Sequence, residues 1–184
     1  KKVYNSKQTT TLNEGWNWYS TYLEINGKDG LTRLQNSMNG KAEQIKSQMA
    51  FSSYESGNWF GLLENARTED MYMIKMSEDT EINLSGNIAD PSEHPITLNQ
   101  NWTWFGYILN ENMSLKEGLV NFTPNDGDYI KSQSGFNTYY NGNWYGEIIL
   151  DFEVGKGYMY KNTSDAAKTL VYPKVSSKGR QIRK

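Results

Sequence analysis

Ile45-Lys46-Ser47-Gln48 and Ile130-Lys131-Ser132-Gln133 are the same four residues met twice, 85 positions apart. Reading outward, each is followed by an aromatic series in the same order. Phe51, Tyr54 and Asn58-Trp59-Phe60-Gly61 in the first match Phe136, Tyr139 and Asn143-Trp144-Tyr145-Gly146 in the second. Upstream, Leu12-Asn13-Glu14-Gly15-Trp16-Asn17-Trp18 matches Leu98-Asn99-Gln100-Asn101-Trp102-Thr103-Trp104, and downstream Tyr72-Met73 matches Tyr158-Met159, both at an offset of 86. One residue is lost and later regained, as happens in exposed connections rather than packed strands. The chain is a duplication, and the repeat period decides how everything else is read.

Each copy carries short β-branched and aromatic segments separated by turn residues. Strands are expected at residues 9–12, 16–23, 44–48, 50–54, 58–63, 71–76 and 81–84, and at 168–172 at the close of the second copy. Tyr140-Asn141-Gly142-Asn143 carries Asn-Gly, a strong hairpin signal, and Glu55-Ser56-Gly57 is its twin. Leu31, Leu34 and Met38 fall at helical spacing, and Ser114-Leu115-Lys116-Glu117 is a capping box opening the stripe Leu115, Leu119, Phe122. The expected fold is therefore mainly β, with one short helix per repeat and two homologous repeats related by pseudo-twofold symmetry. The expected divisions are an N-terminal arm (1–8), repeat 1 (9–88), a linker (89–95), repeat 2 (96–173) and a basic tail or linker (174–184). Pro91 and Pro95 favour an extended, semi-rigid connection between the copies.

Composition sets the bounds on chemistry. The 184 residues have a mean hydropathy of −0.78 and only 36% hydrophobic residues, but 13 Tyr, 6 Trp and 6 Phe supply apolar area with polar tips. The core is expected to be aromatic, with Trp16, Trp18, Trp102 and Trp104 buried in it. Net charge is −2; without the five positive charges of the tail the body is −7, which argues against nucleic acid as a partner. Cysteine is absent, so disulfides and thiolate chemistry are excluded. The opening Lys1-Lys2 is not followed by the apolar run of a signal peptide, and no stretch approaches the roughly 20 apolar residues of a membrane helix. A soluble chain without membrane insertion is expected.

The motif "Leu-x-x-Gly-Trp-Asn-Trp-x-Ser … Ile-Lys-Ser-Gln-x-x-Phe-x-x-Tyr … Trp-x-Gly … Gly-Tyr-Met" resembles a tandem module of secreted or surface-anchored proteins of Bacteroidetes-type bacteria, over residues 9–173. There it accompanies fibronectin-type-III-like and other extracellular modules, and no activity is established for it. The resemblance implies a secreted or cell-surface location, with other extracellular domains of the same polypeptide as partners. The copies depart from each other at Gly15 and Asn17, replaced by Asn101 and Thr103, and at Asp70-Met71, replaced by Lys156-Gly157. If Gly15 and Gly157 serve tight turns, these replacements imply slightly different turns.

Catalytic chemistry finds no foothold. The single histidine, His94, sits between Glu93 and Pro95 and is expected to be an exposed linker residue with no second His or Cys to complete a metal site. Asn125-Asp126-Gly127-Asp128 lacks the ligand spacing of a calcium loop and is expected to be a turn. Ser47 and Ser132 recur without a histidine at a matching position. Gly155-Lys156-Gly157 fits neither a dinucleotide turn nor a phosphate loop. The carboxylates do not recur as opposed pairs. No enzyme activity and no cofactor are expected.

Two readings of the signature remain. Lys46, Gln48, Lys131 and Gln133 either satisfy neighbouring backbone and cover a ring, which is preferred, or donate to glycan hydroxyls. Trp59, Trp144, Tyr54 and Tyr139 either pack in the core or form flat platforms near the hairpins for sugar faces or partner side chains. The function expected is a non-catalytic extracellular module acting in adhesion, spacing or ligand presentation, with surface proteins or glycans as its ligands. The alternative is a carbohydrate-binding module using the hairpin aromatics.

Overall fold

The computed structural model describes residues 4–175. Residues 1–3 and 176–184, which include most of the expected basic tail, lie outside the described residues.

In the first copy, β1 (Ser6–Leu12) is followed by β2 (Gly15–Tyr19), α1 (Gly27–Ser37), β3 (Ala42–Lys46), β4 (Phe51–Glu55), β5 (Asn58–Gly61), β6 (Tyr72–Met76) and β7 (Thr80–Gly86). The expected arm of residues 1–8 is overturned from Ser6 onward, which is already strand. Strand β1 begins at Ser6 because the residues before Thr9 pair with β7, Ser6 opposite Gly86 and Gln8 opposite Leu84. The main sheet runs β2-β6-β3-β4-β5, antiparallel throughout.

In the second copy, β8 (Ile96–Leu98), β9 (Asn101–Gly106), β10 (Met113–Ser114) and α2 (Leu115–Gly118) precede β11 (Tyr129–Lys131), β12 (Phe136–Tyr140), β13 (Asn143–Tyr145), β14 (Asp151–Phe152), β15 (Gly157–Asn162) and β16 (Lys168–Leu170). Its main sheet is ordered β9-β15-β11-β12-β13, the order of the first sheet carried to the matching strands. Register matches as well. Trp18 faces Met73 as Trp104 faces Met159, and Tyr54 faces Trp59 as Tyr139 faces Trp144. β8 pairs with β16 as β1 pairs with β7, and β10 with β14. The chain is mainly β.

Helix α1 buries Leu31 and Leu34, and Met38 at its C-terminal cap is buried beside them, as their spacing predicts. The capping box forms at α2: Ser114 Oγ accepts from the Glu117 amide, and the Glu117 carboxylate accepts from the Ser114 amide at 3.0 Å. This helix is a single turn, because its stripe continues into the bends at Leu119 and Phe122 rather than into further helix.

Each copy has its own core. The first is chiefly aliphatic, with Leu23, Ile25, Leu34, Ile45, Ile74 and Ile82 around Tyr19 and Tyr72. The second is aromatic: Phe105, Tyr107, Phe152, Tyr158, Tyr160 and Tyr172 pack largely edge to face. Tyrosine, not tryptophan, fills the interior. Trp18 and Trp104 are half-buried, and Trp16 and Trp102 are 38% and 37% exposed, against the expectation of burial. The reason is the two-residue period of a strand. Asn17 and Thr103 point inward, where Asn17 Oδ1 and Thr103 Oγ1 accept the amides of Asn13 and Asn99 at 2.9 and 3.0 Å, so their neighbours face outward.

The replacement of Gly15 does not change its turn. Asn101 adopts the same left-handed backbone, φ 67° against 85°, and asparagine tolerates this conformation better than most residues. Gly157, by contrast, serves no left-handed turn. A Cβ there would lie 2.1 Å from Cγ of Met71, its own counterpart in the first copy.

Residues 89–95 do not form an extended spacer. Asp90 Oδ1 accepts the Ser92 amide and hydroxyl at 2.9 and 2.6 Å, and Glu93 N donates to Asp90 O, making a tight turn whose Pro91 is buried. His94 is 6% exposed rather than a surface linker residue. Its Nδ1 lies 2.6 Å from Glu69 Oε1 and its Nε2 3.7 Å from Glu24, so it is held by partners the local sequence does not contain.

Candidate functional site

The Lys-Ser-Gln signature is built at the end of β3 and again at the end of β11. In each, the serine shapes the turn. Ser47 N donates to Ala50 O, and Ser47 Oγ accepts the amides of Met49 and Ala50. Ser132 does the same with Ser134 and Gly135. The turn brings the following glutamine to the other copy. Gln48 Nε2 donates to Trp102 O at 2.9 Å and its Oε1 accepts Trp104 N at 2.8 Å. Gln133 Nε2 donates to Trp16 O at 2.6 Å and its Oε1 accepts Trp18 N at 2.8 Å. Both targets lie on β2 and β9, the edge strands of the main sheets, whose outer backbone groups would otherwise be unpaired.

The lysines stay within their own copies. Lys46 Nζ sits 4.7 Å above the Trp16 ring and Lys131 Nζ 5.6 Å above that of Trp102, a cation–π contact that also covers part of each exposed indole. Tyr54 and Trp59 meet at 5.2 Å between centroids, Tyr139 and Trp144 at 5.1 Å, all four half-buried. Tyr139 and Trp144 line a cavity of about 470 Å³ beside α2, and Trp59 lines one of about 350 Å³ beside α1.

More of the seam between the copies is reciprocal. Ser20 N donates to Gly155 O at 3.2 Å, and their counterparts Gly106 N and Glu69 O are joined at 2.7 Å. Ser20 Oγ also accepts the Tyr107 amide at 3.1 Å and bonds the Lys156 carbonyl.

The open aromatic surface lies elsewhere, on the sheet faces turned away from the cores. Across the first sheet Trp18, Met73, Lys46 and Phe51 stand side by side; across the second, Trp104, Met159, Lys131 and Phe136 do. Phe60 (58% exposed) and Tyr145 (53%) continue these faces at the outermost strands. Phe60 and Tyr145 were missed as site candidates in the sequence. Their recurrence at the repeat offset was the available signal, but a duplicated aromatic reads as core when face assignment is uncertain.

At the seam itself a groove of about 380 Å³ is lined by Gln48, Arg67, Asp70, Asn99, Thr103 and Trp104, among others. Arg67 Nε lies 3.5 Å from Glu69 Oε2, on the carboxylate that also holds His94. Burial pushes the Asp70 carboxyl up to about 6; Arg67 opposes the shift and Glu69 adds to it. At the repeat offset, Arg67, Glu69 and Asp70 correspond to Glu153, Gly155 and Lys156, so the charge pattern is not repeated in the second copy. Among the described residues, no group of three or more His, Asp or Glu is placed to hold a metal ion.

Compared with protein-family models, curated proteins and solved structures, the chain matches none.

Proposed function

We propose that the chain is a non-catalytic module of an extracellular, surface-borne protein, and that it acts in adhesion and ligand presentation by offering its two outer sheet faces to a partner protein. The observation that carries this reading is the repeated row of aromatic, methionine and lysine side chains on those faces, ending in exposed Phe60 and Tyr145. Aromatic and methionine side chains are enriched at protein interfaces, and lysine stems add apolar cover. The signature amides of Gln48 and Gln133 are consumed in joining the copies, which supports a structural role for them. The extracellular setting rests on the resemblance of the repeat motif. The test is binding of the chain to surface-protein extracts, with Phe60→Ala/Tyr145→Ala as the competitor. Equal binding by the variant removes the sheet faces from the proposal.

The second reading, a carbohydrate-binding module, is favoured by a different observation. The seam groove is lined by Trp104 together with Asp70, Arg67 and several amide- and hydroxyl-bearing residues. A glycan array separates the readings: no polysaccharide bound removes this one and leaves the first.

A further inference from the structure

We infer that the groove at the seam is a binding site for one or two sugar rings, occupied once per chain; the inference rests on the carbohydrate-binding reading above. Its volume of about 380 Å³ falls near the lower end of small-ligand sites, roughly 300–1,000 Å³. Its lining combines polar residues with Trp104.

The polar groups divide into those already engaged and those left over. Gln48 is engaged by the β9 backbone, and Thr103 Oγ1 accepts the Asn99 amide. The Asp70 carboxylate is half-buried and accepts no hydrogen bond from any described residue. Asn99 and Thr97 also line the groove. A carboxylate so placed keeps its acceptor positions free for a donor that enters the groove. Sugar hydroxyls are donors, the CH face of a pyranose suits an indole, and Arg67, the cation lining the groove, already lies 3.5 Å from Glu69. The site is single because Lys156 and Gly155 stand where a second copy would need Asp70 and Glu69. The outer sheet faces, in contrast, are duplicated, so stoichiometry tells the two surfaces apart.

The experiment is titration of the whole chain with a panel of mono- and disaccharides by calorimetry, with the Trp104 indole NH followed by NMR. One equivalent is expected per chain. Asp70→Asn and Asn99→Ala are expected to weaken binding, Asp70→Asn by about tenfold or more, while Phe60→Ala/Tyr145→Ala leaves it unchanged. If a variant fails to fold, one equivalent bound with a shift at Trp104 and none at Trp18, its counterpart on the other outer face, still locates the ligand. Binding of two equivalents, or binding that leaves the Trp104 signal unmoved, overturns the seam site and leaves the carbohydrate reading standing. No binding by the unaltered chain overturns both.

Discussion

Gln48 and Gln133 hold the same grip on opposite copies: each carboxamide donates to one tryptophan carbonyl and accepts from the amide two residues on. An amide is the only side chain of this length that both donates and accepts, so the clasp needs glutamine specifically. Gln48→Ala and Gln133→Ala are each expected to lower stability by about 1–2 kcal/mol, two exposed hydrogen bonds at the low end of their usual worth. Gln→Glu keeps the acceptor and loses the donor, so it should fall between. Urea denaturation measures this. A loss in one variant and none in the other would show that the clasps are not equivalent.

Met71 and Gly157 are counterparts that meet each other, one as the knob and one as the hole. Where a residue meets its own equivalent, identical bulky side chains would claim the same space. Ser20 and Gly106 form a second such pair, a Cβ on Gly106 lying 3.3 Å from that of Ser20. Gly157→Ala is expected to cost about 1–3 kcal/mol through overpacking. Met71→Ala in the same chain should recover part of that loss, although alone it opens a cavity. A double-mutant cycle in thermal unfolding gives the coupling, and simple additivity would show that the two side chains do not share the space.

These pairs explain what the sequence could and could not convey. Hydrophobic period and turn residues are local, so most strands of the main sheets, the hairpins at Ser56-Gly57 and Asn141-Gly142, α1 and the capping box at Ser114 were legible, while the two-residue strands β10 and β14 were not. The mainly β class followed from them. Contacts across the seam are not local. Nothing near His94 announces Glu69, 25 residues away, and a buried histidine therefore looked like an exposed one. Gly157 looked like a turn glycine because the side chain that excludes its Cβ belongs to the other copy. The exposure of Trp16 and Trp102 was hidden for another reason. When both faces of a strand carry bulk, composition favours putting the indoles inside, and only the bonds of Asn17 and Thr103 decide the facing. At the candidate site, the aromatics and the signature glutamines were legible as recurring residues, but their roles depended on which copy they touch.

Asp128 tests the other buried carboxylate. It is fully buried, and it accepts from Tyr160 Oη at 2.6 Å, Thr163 N and Oγ1 at 2.8 and 2.7 Å and Asn125 N at 2.9 Å, with Lys168 Nζ at 3.2 Å. Burial alone would raise its pKa; these donors outweigh it and hold the carboxyl below its ordinary value. Its stabilising contribution is thus present above the unfolded-state pKa and is lost as pH falls through the lower folded value. Asp128→Asn turns an acceptor into a donor facing donors and is expected to cost about 2–4 kcal/mol at pH 7. The gap between variant and unaltered chain should narrow toward pH 3. A gap independent of pH would mean that shape, not charge, is what the site requires.

Asp70 should behave in the opposite sense. Its carboxyl is pushed up to about 6 by burial, above its ordinary 3.8, so the folded chain holds this proton more tightly than the unfolded one. Stability then falls as pH rises from about 4 through 6, and the deficit is complete at neutral pH. Arg67 is too exposed to cancel it, its side chain being 65% accessible. Asp70→Asn removes the ionisation and is expected to stabilise the chain by about 1–2 kcal/mol at pH 7 while changing little at pH 4. Urea denaturation at four pH values between 4 and 7 measures the difference. The same ionisation predicts saccharide affinity that rises with pH through about 6, since the carboxylate is the stronger acceptor. A variant that gains stability and loses ligand together would place Asp70 among residues whose cost to the fold is offset only by binding. A variant less stable at pH 7 than the unaltered chain would instead give Asp70 a structural role and remove the main support for the seam site.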